Sequence, residues 1–390
     1  GSPLFCLRRP ASWDSMFARS HYLIACLLLS VGCNTERSDV PLTVNPQTPA
    51  VGGTSTVVKI PGDPEEAVLA IEAVADKVRR DSTGAIIDVD FRGKDIVDHD
   101  LLPLIEFQHL RAVRLGGTAV TDEGLMTVGQ IASLEDLDLR DCAVSDDGLA
   151  HLINLNKLKA LRLSGKSGAC SVSDDGMVHV AKLKNLKVLA VDFLWISEDG
   201  VQSIVGLNNL QELYMAETTI GNEAVELFAM FPKLKKLRLA RNQIDASGVA
   251  NLPKIKLLEV LDLSECAQLF DDAMPPLAEL KNLKELNLWR LNISDAGIEP
   301  LQGLTAMESL NLDNTRLSDE GTRFLSDMKM LTFLHLGSTQ ITDDGLAPLK
   351  GLTKLKDLKV TRTAVTKDGV AELAKALPNA KIQLNYIEGQ

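Results

Sequence analysis

Residues that could carry out chemistry occur in this 390-residue chain, but they are not grouped as a reactive site requires. His151 and His179 fall at equivalent places in successive segments, yet no cysteine or carboxylate joins them at the spacing of a metal site. Gly165-Lys166-Ser167 is similar to the end of a phosphate-binding loop, but the glycine required five residues earlier is an alanine. The sequence therefore predicts no metal, no cofactor and no small-molecule substrate.

Sets of catalytic residues are also missing from the sequence. It contains neither Gly-x-Ser-x-Gly nor His-Glu-x-x-His. Cys142 and Cys266 occupy a recurring position where threonine and asparagine also occur, which indicates a small buried side chain. Asp122 and Asp343 belong to a series of aspartates at the predicted starts of helices, where a carboxylate favours the positive end of the helix dipole. We therefore expect a protein that is not an enzyme.

The composition is that of a folded chain with an aliphatic core. Hydrophobic residues make up 45% and charged residues 24% of the chain, while aromatic residues make up only 4%. Lys and Arg number 41 against 53 Asp and Glu, which gives a net charge of -12. Because sequence-independent binding to nucleic acid requires a basic face, nucleic acid is disfavoured as a partner.

The N-terminal segment, residues 1–33, is interpreted as a targeting signal rather than as part of the fold. Arg19 supplies a positive charge, residues 23–32 form an apolar run, and Cys33 follows a small residue. This order resembles a bacterial lipoprotein signal, in which the cysteine thiol is acylated, although Ser30 stands where leucine is usual. An ordinary cleaved secretion signal and a retained anchor are the alternatives.

The signal predicts an exported protein that is held at a membrane of the cell envelope by an N-terminal lipid, either in the periplasm or at the cell surface. Residues 1–15, which lie before Met16, are interpreted as a non-native extension. Residues 34–62 show no helical or strand periodicity, so we expect a flexible tether with a span of about 30 Å. A capping helix is predicted within residues 63–83, ending near Arg80, with acids in its first turn.

From Leu110 onward one pattern returns: Leu-x-x-Leu-x-Leu-x-x-(Thr/Cys/Asn)-x-(Ile/Val/Leu)-(Ser/Thr)-Asp-x-Gly-Leu-x-x-Leu-x-x-Leu. The spacing is 24 residues, except for 28 after Leu158 and 25 after Leu258. The eleven full repeats begin at Leu110, Leu134, Leu158, Leu186, Leu210, Leu234, Leu258, Leu283, Met307, Leu331 and Leu355. A fixed period of this length indicates a solenoid of stacked units, because one unit alone leaves an apolar flank uncovered.

Each repeat reads as one short strand followed by one helical segment. Leu334 and Leu336, for example, alternate inward as a strand requires. Residues 84–109 form a degenerate first repeat, and residues 380–384 supply a last strand. The predicted fold is an α/β solenoid over residues 84–390, with a parallel sheet on its concave face and helices on its convex face.

The repeat resembles that of the leucine-rich repeat superfamily, in the variant whose ninth position takes Cys, Asn or Thr. Cys142, Asn242 and Thr339 stand at this position here. The variant occurs in F-box leucine-rich repeat proteins and in bacterial envelope proteins, and the resemblance covers residues 84–390. It implies a curved right-handed solenoid that binds a protein partner. An F-box-type adaptor is disfavoured because no F-box precedes the repeats. A structural spacer of the cell envelope and an enzyme-associated scaffold are the competing hypotheses.

The third, fifth, seventh and eighth residues of each repeat are predicted to project from the concave sheet or its edge. In the first repeats the fifth residues alternate in charge, as Arg114, Asp138 and Arg162, which predicts a ladder that needs no partner. In the middle repeats, apolar and aromatic residues lie beside arginines, a combination typical of protein interfaces. The predicted partner-binding residues are Val188, Ala190, Tyr214, Ala216, Arg238, Arg241, Trp289 and Arg290.

Two further aromatic residues, Phe193 and Trp195, follow the long third repeat and have two interpretations. They could extend the predicted binding surface, or they could fill the irregular turn that the longer repeat creates. The sequence does not decide between these two hypotheses.

Overall fold

The repeats build one 14-stranded sheet in which the strands lie side by side in chain order. The computed structural model describes residues 62–385. The first two strands pair antiparallel, and every later strand is parallel to the one before it. Spatial order that equals chain order is the topology of a solenoid, because each repeat adds its strand next to the preceding one.

The strands are short, and helical segments alternate with them. The strands are β1 (Lys77–Arg80), β2 (Ile86–Asp90), β3 (Ala112–Arg114), β4 (Asp136–Asp138), β5 (Ala160–Ser164), β6 (Val188–Asp192), β7 (Glu212–Tyr214), β8 (Lys236–Arg238), β9 (Val260–Asp262), β10 (Glu285–Asn287), β11 (Ser309–Asn311), β12 (Phe333–His335), β13 (Asp357–Lys359) and β14 (Lys381–Gln383). The α-helices are α1 (Glu65–Val74), α2 (Asp122–Val128), α3 (Asp146–Ala150), α4 (Asp174–Val180), α5 (Glu198–Ile204), α6 (Asn222–Leu227), α7 (Ala246–Val249), α8 (Asp295–Ile298), α9 (Asp319–Thr322) and α10 (Lys367–Ala376). The 3₁₀ helices are Asp98–Glu106, Phe228–Met230, Leu252–Lys254, Asp271–Ala273, Pro275–Glu279, Glu299–Gly303, Arg323–Leu325 and Asp344–Gly351.

The N-terminal cap differs from the predicted single helix. Helix α1 ends at Val74, and the segment that was predicted to continue the helix forms β1 instead. Strand β1 pairs with β2 through residues such as Val78, which lies opposite Val89. The edge of a sheet exposes backbone N–H and C=O groups, and an added antiparallel strand satisfies those of β2. Sequence periodicity missed this strand because its residues are mostly exposed and charged.

Leucines at the fourth and sixth positions of the repeats form a continuous core beneath the sheet. Leu261 on β9 lies in register with Leu286 on β10, and both side chains are almost fully buried. Leu263 and Leu288, two residues further along, are buried in the same way. The inward positions of neighbouring repeats therefore stack on one another, as the sequence register predicts.

The Asp-x-Gly part of the repeat ties each helical segment to the next one. Asp122 Oδ1 accepts a hydrogen bond from the backbone N–H of Ser145 at 2.8 Å, and Oδ2 accepts one from the Ser145 hydroxyl at 2.5 Å. Gly148 lies against the same carboxylate, which leaves no room for a Cβ atom. The pairing recurs in later repeats, for example from Thr342 to Asp319. The aspartates that were predicted to act on helix dipoles therefore also join neighbouring repeats.

The eighth residue of several repeats adopts a left-handed backbone conformation. Its φ angle is 51° at Glu217, 59° at Arg241, 56° at Glu265 and 57° at Arg290, a region that residues other than glycine rarely adopt. The backbone N–H at this position still donates to the next repeat, as from Arg241 to the carbonyl of Ser264 at 2.9 Å. The turn therefore extends the backbone hydrogen bonds between repeats beyond the strands. It also places the side chains of the eighth residues in one row, next to the C-terminal ends of the strands.

Several later repeats carry 3₁₀ segments where α-helices were predicted. Pro275–Glu279, Glu299–Gly303 and Asp344–Gly351 each contain proline. Proline has no backbone N–H to continue an α-helix. The helical layer is therefore retained in these repeats, but in shorter and tighter turns.

Candidate protein interface on the outward sheet face

The third and fifth residues of the repeats point away from the core, opposite the helical segments. In β7 to β13 the middle residue of each strand is buried, while its two neighbours are at least partly exposed. This alternation confirms the predicted register of the strands. We call the surface formed by the third and fifth residues of the repeats, from β2 to β13, the outward face.

From β2 to β8 the charged residues of the outward face are joined to one another, and we call this part the paired region. Arg162 on β5 contacts Asp136 on β4 at 2.5 Å, and the same diagonal contact joins β3 to β2. Asp138, at the end of β4, pairs with Arg140, two residues further along the chain, at 2.6 Å. The charges therefore satisfy one another, as predicted, although the contacts run diagonally between strands or to a residue just beyond the strand rather than directly across.

The paired region includes a buried carboxylate that is held ionised. Asp138 is only 2% exposed. Burial by itself would raise the pKa of Asp138, but hydrogen bonds from the Arg140 side chain and backbone outweigh it and lower the pKa below its usual value. This part of the face is therefore fixed by its own ion pairs.

Arg238 on β8 forms ion pairs with carboxylates on β6 and on β9, the strand next to the paired region. Its guanidinium group lies 3.3 Å from the carboxylate of Asp192 on β6 and 3.4 Å from that of Asp262 on β9. Because β7 lies between β6 and β8, the Arg238 side chain crosses β7 on the outward face. On β7 itself, the Tyr214 hydroxyl donates to Glu212 at 2.8 Å. Burial, followed by this hydrogen bond, raises the pKa of Tyr214.

The apolar patch predicted around Tyr214 is largely covered. Ala190 is 7% exposed and Ala216 only 1%, so both short side chains are buried. The prediction that these two alanines contact a partner is therefore wrong. Val188 and Tyr214 are partly exposed, so their role in partner binding stays a prediction.

The other two arginines predicted to bind a partner lie in the row of eighth residues. Arg241 pairs with both Glu217 and Glu265 at 2.8 Å, and Arg290 pairs with Glu265 at 2.9 Å. The Arg290 guanidinium also lies 5.4 Å from the centroid of the Trp289 ring. A partner that used these arginines would have to exchange existing ion pairs, which reduces the net gain from binding them.

From β10 to β13 the outward face is different, and we call this part the open region. Glu285 forms no ion pair with any residue in the range 62–385. Asn287 and Asn311 use their side-chain oxygens for backbone N–H groups of their own segments, at 3.2 Å and 3.0 Å. Asp357 Oδ1 is buried and has no hydrogen-bond partner within the described range. The Glu285 carboxylate and the side-chain nitrogens of Asn287 and Asn311 therefore remain available, whereas Asp357 Oδ1 is too buried for a partner to reach.

A cavity of about 290 Å³ lies on the outward face between β9 and β12. Its lining includes Val260, Glu285, Asn287, Ser309, Asn311 and Phe333. The cavity exists because Ser309 is small while its neighbours on β10 and β12 are long. Trp289 and Arg290 follow β10 in the chain but do not line this cavity. The lining residues were missed, because a sequence pattern does not show which outward side chains are unpaired.

A second cavity, of about 330 Å³, adjoins the third repeat, which is 28 rather than 24 residues long. We call it the insertion cleft; its lining includes Gly165, Lys166, Phe193, Leu194, Trp195 and Glu217. Trp195 is 76% exposed, so the interpretation that it fills an irregular turn is wrong. Lys166 Nζ lies 5.9 Å from the centroid of the Phe193 ring. The long spacing in the sequence was the signal for this cleft.

The buried cysteines have structural roles. The thiols of Cys142 and Cys266 donate to the carbonyls of Leu115 and Leu239 in the preceding repeats. Burial raises the pKa of Cys266 to about 12, which keeps the thiol protonated. Among the described residues, no three His, Cys, Asp or Glu side chains are grouped as a metal site, and no helix is long and apolar enough to cross a membrane. Cys33 lies outside the described residues.

Comparison with known proteins agrees with this architecture. A leucine-rich repeat family model matches residues 108–129, 130–152, 232–252 and 327–350. A solved internalin from Listeria monocytogenes str. 4b F2365 is 18% identical, with a TM-score of 0.56 and coverage of 86% of this chain and 100% of that chain. A chain in the complex of Rad7 and Elc1 from yeast is 20% identical, with a TM-score of 0.50 and coverage of 74% and 83%. No curated protein sequence matches this chain.

These likenesses define the class of fold. At such low identity the solved structures report on architecture alone, and the architecture they share with this chain is a leucine-rich repeat solenoid. The predicted α/β solenoid with a parallel sheet is thus confirmed. Leucine-rich repeat proteins generally mediate protein–protein interaction.

Proposed function

We propose that this chain is a non-enzymatic protein-interaction module that binds a protein partner through the open region of its sheet. The observation that carries this proposal is the contrast on the outward face. Charges on β2–β8 satisfy one another, whereas β10–β13 present an unpaired carboxylate, available amide groups and a cavity lined in part by Phe333. Aromatic residues beside polar groups are enriched at protein interfaces.

The general behaviour of the fold supports the same function. Leucine-rich repeat proteins commonly bind other proteins, and one structural neighbour is a chain of the complex of Rad7 and Elc1 from yeast. A parallel sheet of this kind offers many adjacent side chains on one surface, so a partner can contact several repeats at once. The low identity relates the folds alone, so the partner of this chain is not inferred from that of any neighbour.

A structural spacer of the cell envelope is the second candidate. The paired region favours it, because ion pairs that satisfy each other require no ligand. The open region disfavours it, since a spacer gains nothing from a cavity lined by unpaired polar groups. We therefore rank protein binding above the spacer.

A partner-capture experiment tests the proposed function. Ser309 lines the cavity and its hydroxyl has no hydrogen-bond partner among residues 62–385, so Ser309→Arg should fill the cavity without removing a contact. Gln302→Arg adds the same charge on an exposed position of the helical layer and serves as the matched control. After cross-linking in envelope extract, a partner should be captured by the unmodified chain and the control, but not by Ser309→Arg. Equal capture by all three proteins would exclude the open region as the interface.

We further propose that Cys33 is acylated and tethers the solenoid to a membrane of the cell envelope. The proposal is supported by the apolar run of residues 23–32 before Cys33 and by the polar tether that follows it. The unmodified chain, expressed in a bacterium, should incorporate labelled fatty acid and partition into detergent, and Cys33→Ala should do neither. Cys26→Ala is the control, since it removes the other cysteine of the signal. Label that persists in Cys33→Ala would refute the tether.

A further inference from the structure

The cavity on the outward face carries no basic lining residue but has two carboxylates. Asp262 and Glu285 lie at its β9 and β10 side, and Phe333 on β12 lines it from the other side. We propose, as a refinement that rests on the proposed function, that this cavity binds a lysine or arginine side chain of the protein partner.

Glu285 supplies the attractive charge. Asp262 already accepts hydrogen bonds from the Ser264 hydroxyl at 2.6 Å and backbone N–H at 3.0 Å, and it shares Arg238 with another carboxylate. Glu285, by contrast, is exposed and has no ion-pair partner within the described part of the chain. Acids on the outward face of β2, β4 and β7 are all paired with arginine or lysine. Glu285 is therefore an exposed, unpaired carboxylate, unlike the paired acids of β2, β4 and β7 and unlike the unpaired Asp357, whose Oδ1 is buried.

Phe333 supplies a second feature that suits a cation. Its ring is partly exposed, and the ammonium group of Lys359 lies 5.8 Å from the ring centroid. Lys359 approaches from β13, whereas the cavity lies on the β11 side of the ring. Aromatic rings attract cations through their negative faces, so an ammonium or guanidinium group in the cavity gains from both Phe333 and Glu285.

The amide groups beside the cavity favour a residue of a polypeptide over a free amine. Asn287 and Asn311 direct their oxygens to backbone N–H groups, so their side-chain nitrogens are free to donate. Carbonyl groups on either side of a lysine or arginine residue are suitable acceptors for these donors. The volume of about 290 Å³ also accommodates one long side chain rather than a folded element. The net charge of -12 further favours the approach of a basic partner.

Fluorescence polarisation with labelled octapeptides tests this inference. The peptides consist of glycine and serine with one central residue, which is arginine, lysine or the neutral arginine analogue citrulline, and the full 390-residue chain is used. Arginine and lysine peptides should bind about two- to fivefold more tightly than the citrulline peptide, and added salt should reduce the difference. Glu285→Gln should abolish most of this preference, while Glu299→Gln, an exposed acid on the helical layer, should leave it unchanged.

Three results would overturn the inference: equal binding of the arginine and citrulline peptides, a preference that persists in Glu285→Gln, or no peptide binding at all. Phe333→Leu provides a second check, because it should reduce the preference while keeping an apolar side chain on β12. The proposed function is judged separately by the capture experiment with Ser309→Arg. Capture that is lost in Ser309→Arg without any arginine preference would leave the proposed function standing and exclude the cationic occupant.

Discussion

The paired and open regions are built on the same backbone but differ in what their side chains leave available. Both use three- to five-residue parallel strands with buried leucines at the fourth position. In the paired region, arginine and aspartate at outward positions hold one another, as Arg162 holds Asp136. In the open region, asparagine, serine and phenylalanine replace many of those charges. Repeats with the same backbone can therefore differ in function, because the fold restricts the residue type only at the inward, buried positions.

The difference between the paired and open regions also indicates why a binding surface can be limited to a few repeats of a long solenoid. A partner that binds the paired region must first break existing ion pairs. The new ion pairs that it forms in their place are exposed and contribute little to the binding free energy. A partner that docks on the open region meets an unpaired carboxylate and a cavity at once. The open region is consequently the part of the face where contacts with a partner produce a net gain.

The largest expected effect is a loss of stability from substitutions in the core, and this loss should be similar in the paired and open regions. Leu137 underlies the paired region and Leu286 underlies the open region, and both are buried. Replacing either by alanine should lower the free energy of unfolding by about 2–5 kcal/mol, through lost burial and a new cavity. Chemical denaturation measures both values. If one variant unfolds like the unmodified chain, the two regions do not share an equivalent core.

The next effect should separate the regions by binding. Trp289 borders the open region, whereas Tyr214 lies in the paired region with its hydroxyl held by Glu212. Trp289→Ala should weaken partner capture about tenfold, in the range of interface residues that dominate binding. Tyr214→Ala should weaken it less and should lower the melting temperature more, since that ring is partly buried by its neighbours. A titration of cross-linked partner, with melting curves of both variants, compares them. A larger loss of capture in Tyr214→Ala would move the interface toward the middle of the sheet.

A smaller effect should appear when one carboxylate in each region is neutralised. Asp138→Asn removes a buried charge paired with Arg140 and should cost about 1 kcal/mol. Asp357→Asn removes no ion pair or hydrogen bond within the described range and should change stability by less than about 0.5 kcal/mol. Chemical denaturation of both variants at neutral pH compares the two costs. A larger cost for Asp357→Asn would mean that the open region, too, depends on its carboxylates.

The same pair of variants predicts a difference in pH dependence. The folded-state pKa of Asp138 is lowered, so its contribution to stability is fully present above its unfolded pKa of about 4 and is lost as the pH falls through the folded pKa. Asp138→Asn should therefore flatten the acid limb of a stability–pH curve, and its cost should shrink at low pH. A cost that stays constant as the pH is lowered from neutral to well below the unfolded pKa would contradict the ionised pair.

The smallest effect concerns exposed charges. Arg162→Ala breaks an ion pair whose side chains are both about one-third exposed, so it should cost about 0.5 kcal/mol at low ionic strength and less at high salt. Lys359→Ala, in the open region, breaks no ion pair within the described residues and should have almost no salt-dependent effect. Denaturation at two salt concentrations measures both. Equal salt dependence would mean that the paired region is not stabilised by its charges.

Much of the solenoid could be predicted because its cause is local and periodic. A leucine that returns every 24 residues must be buried, and burial fixes the register of strands such as β9 and β10. The strand β1 could not be predicted in this way, because its stability comes from backbone hydrogen bonds to β2 rather than from an apolar pattern. The burial of Ala190 and Ala216 could not be predicted either, because the repeat pattern assigns both residues to outward positions.

The sequence by itself determined the number and spacing of the repeats, the aliphatic core and the absence of a recognisable catalytic motif. Tertiary structure decided which outward charges are paired, which small residues leave a cavity and which aromatic side chain remains exposed. The physical reason lies in the range of the interactions. The hydrophobic pattern can be read from the residues of a single repeat. Contacts such as that of Arg238 with Asp192 join residues of different repeats, which meet only when the repeats stack.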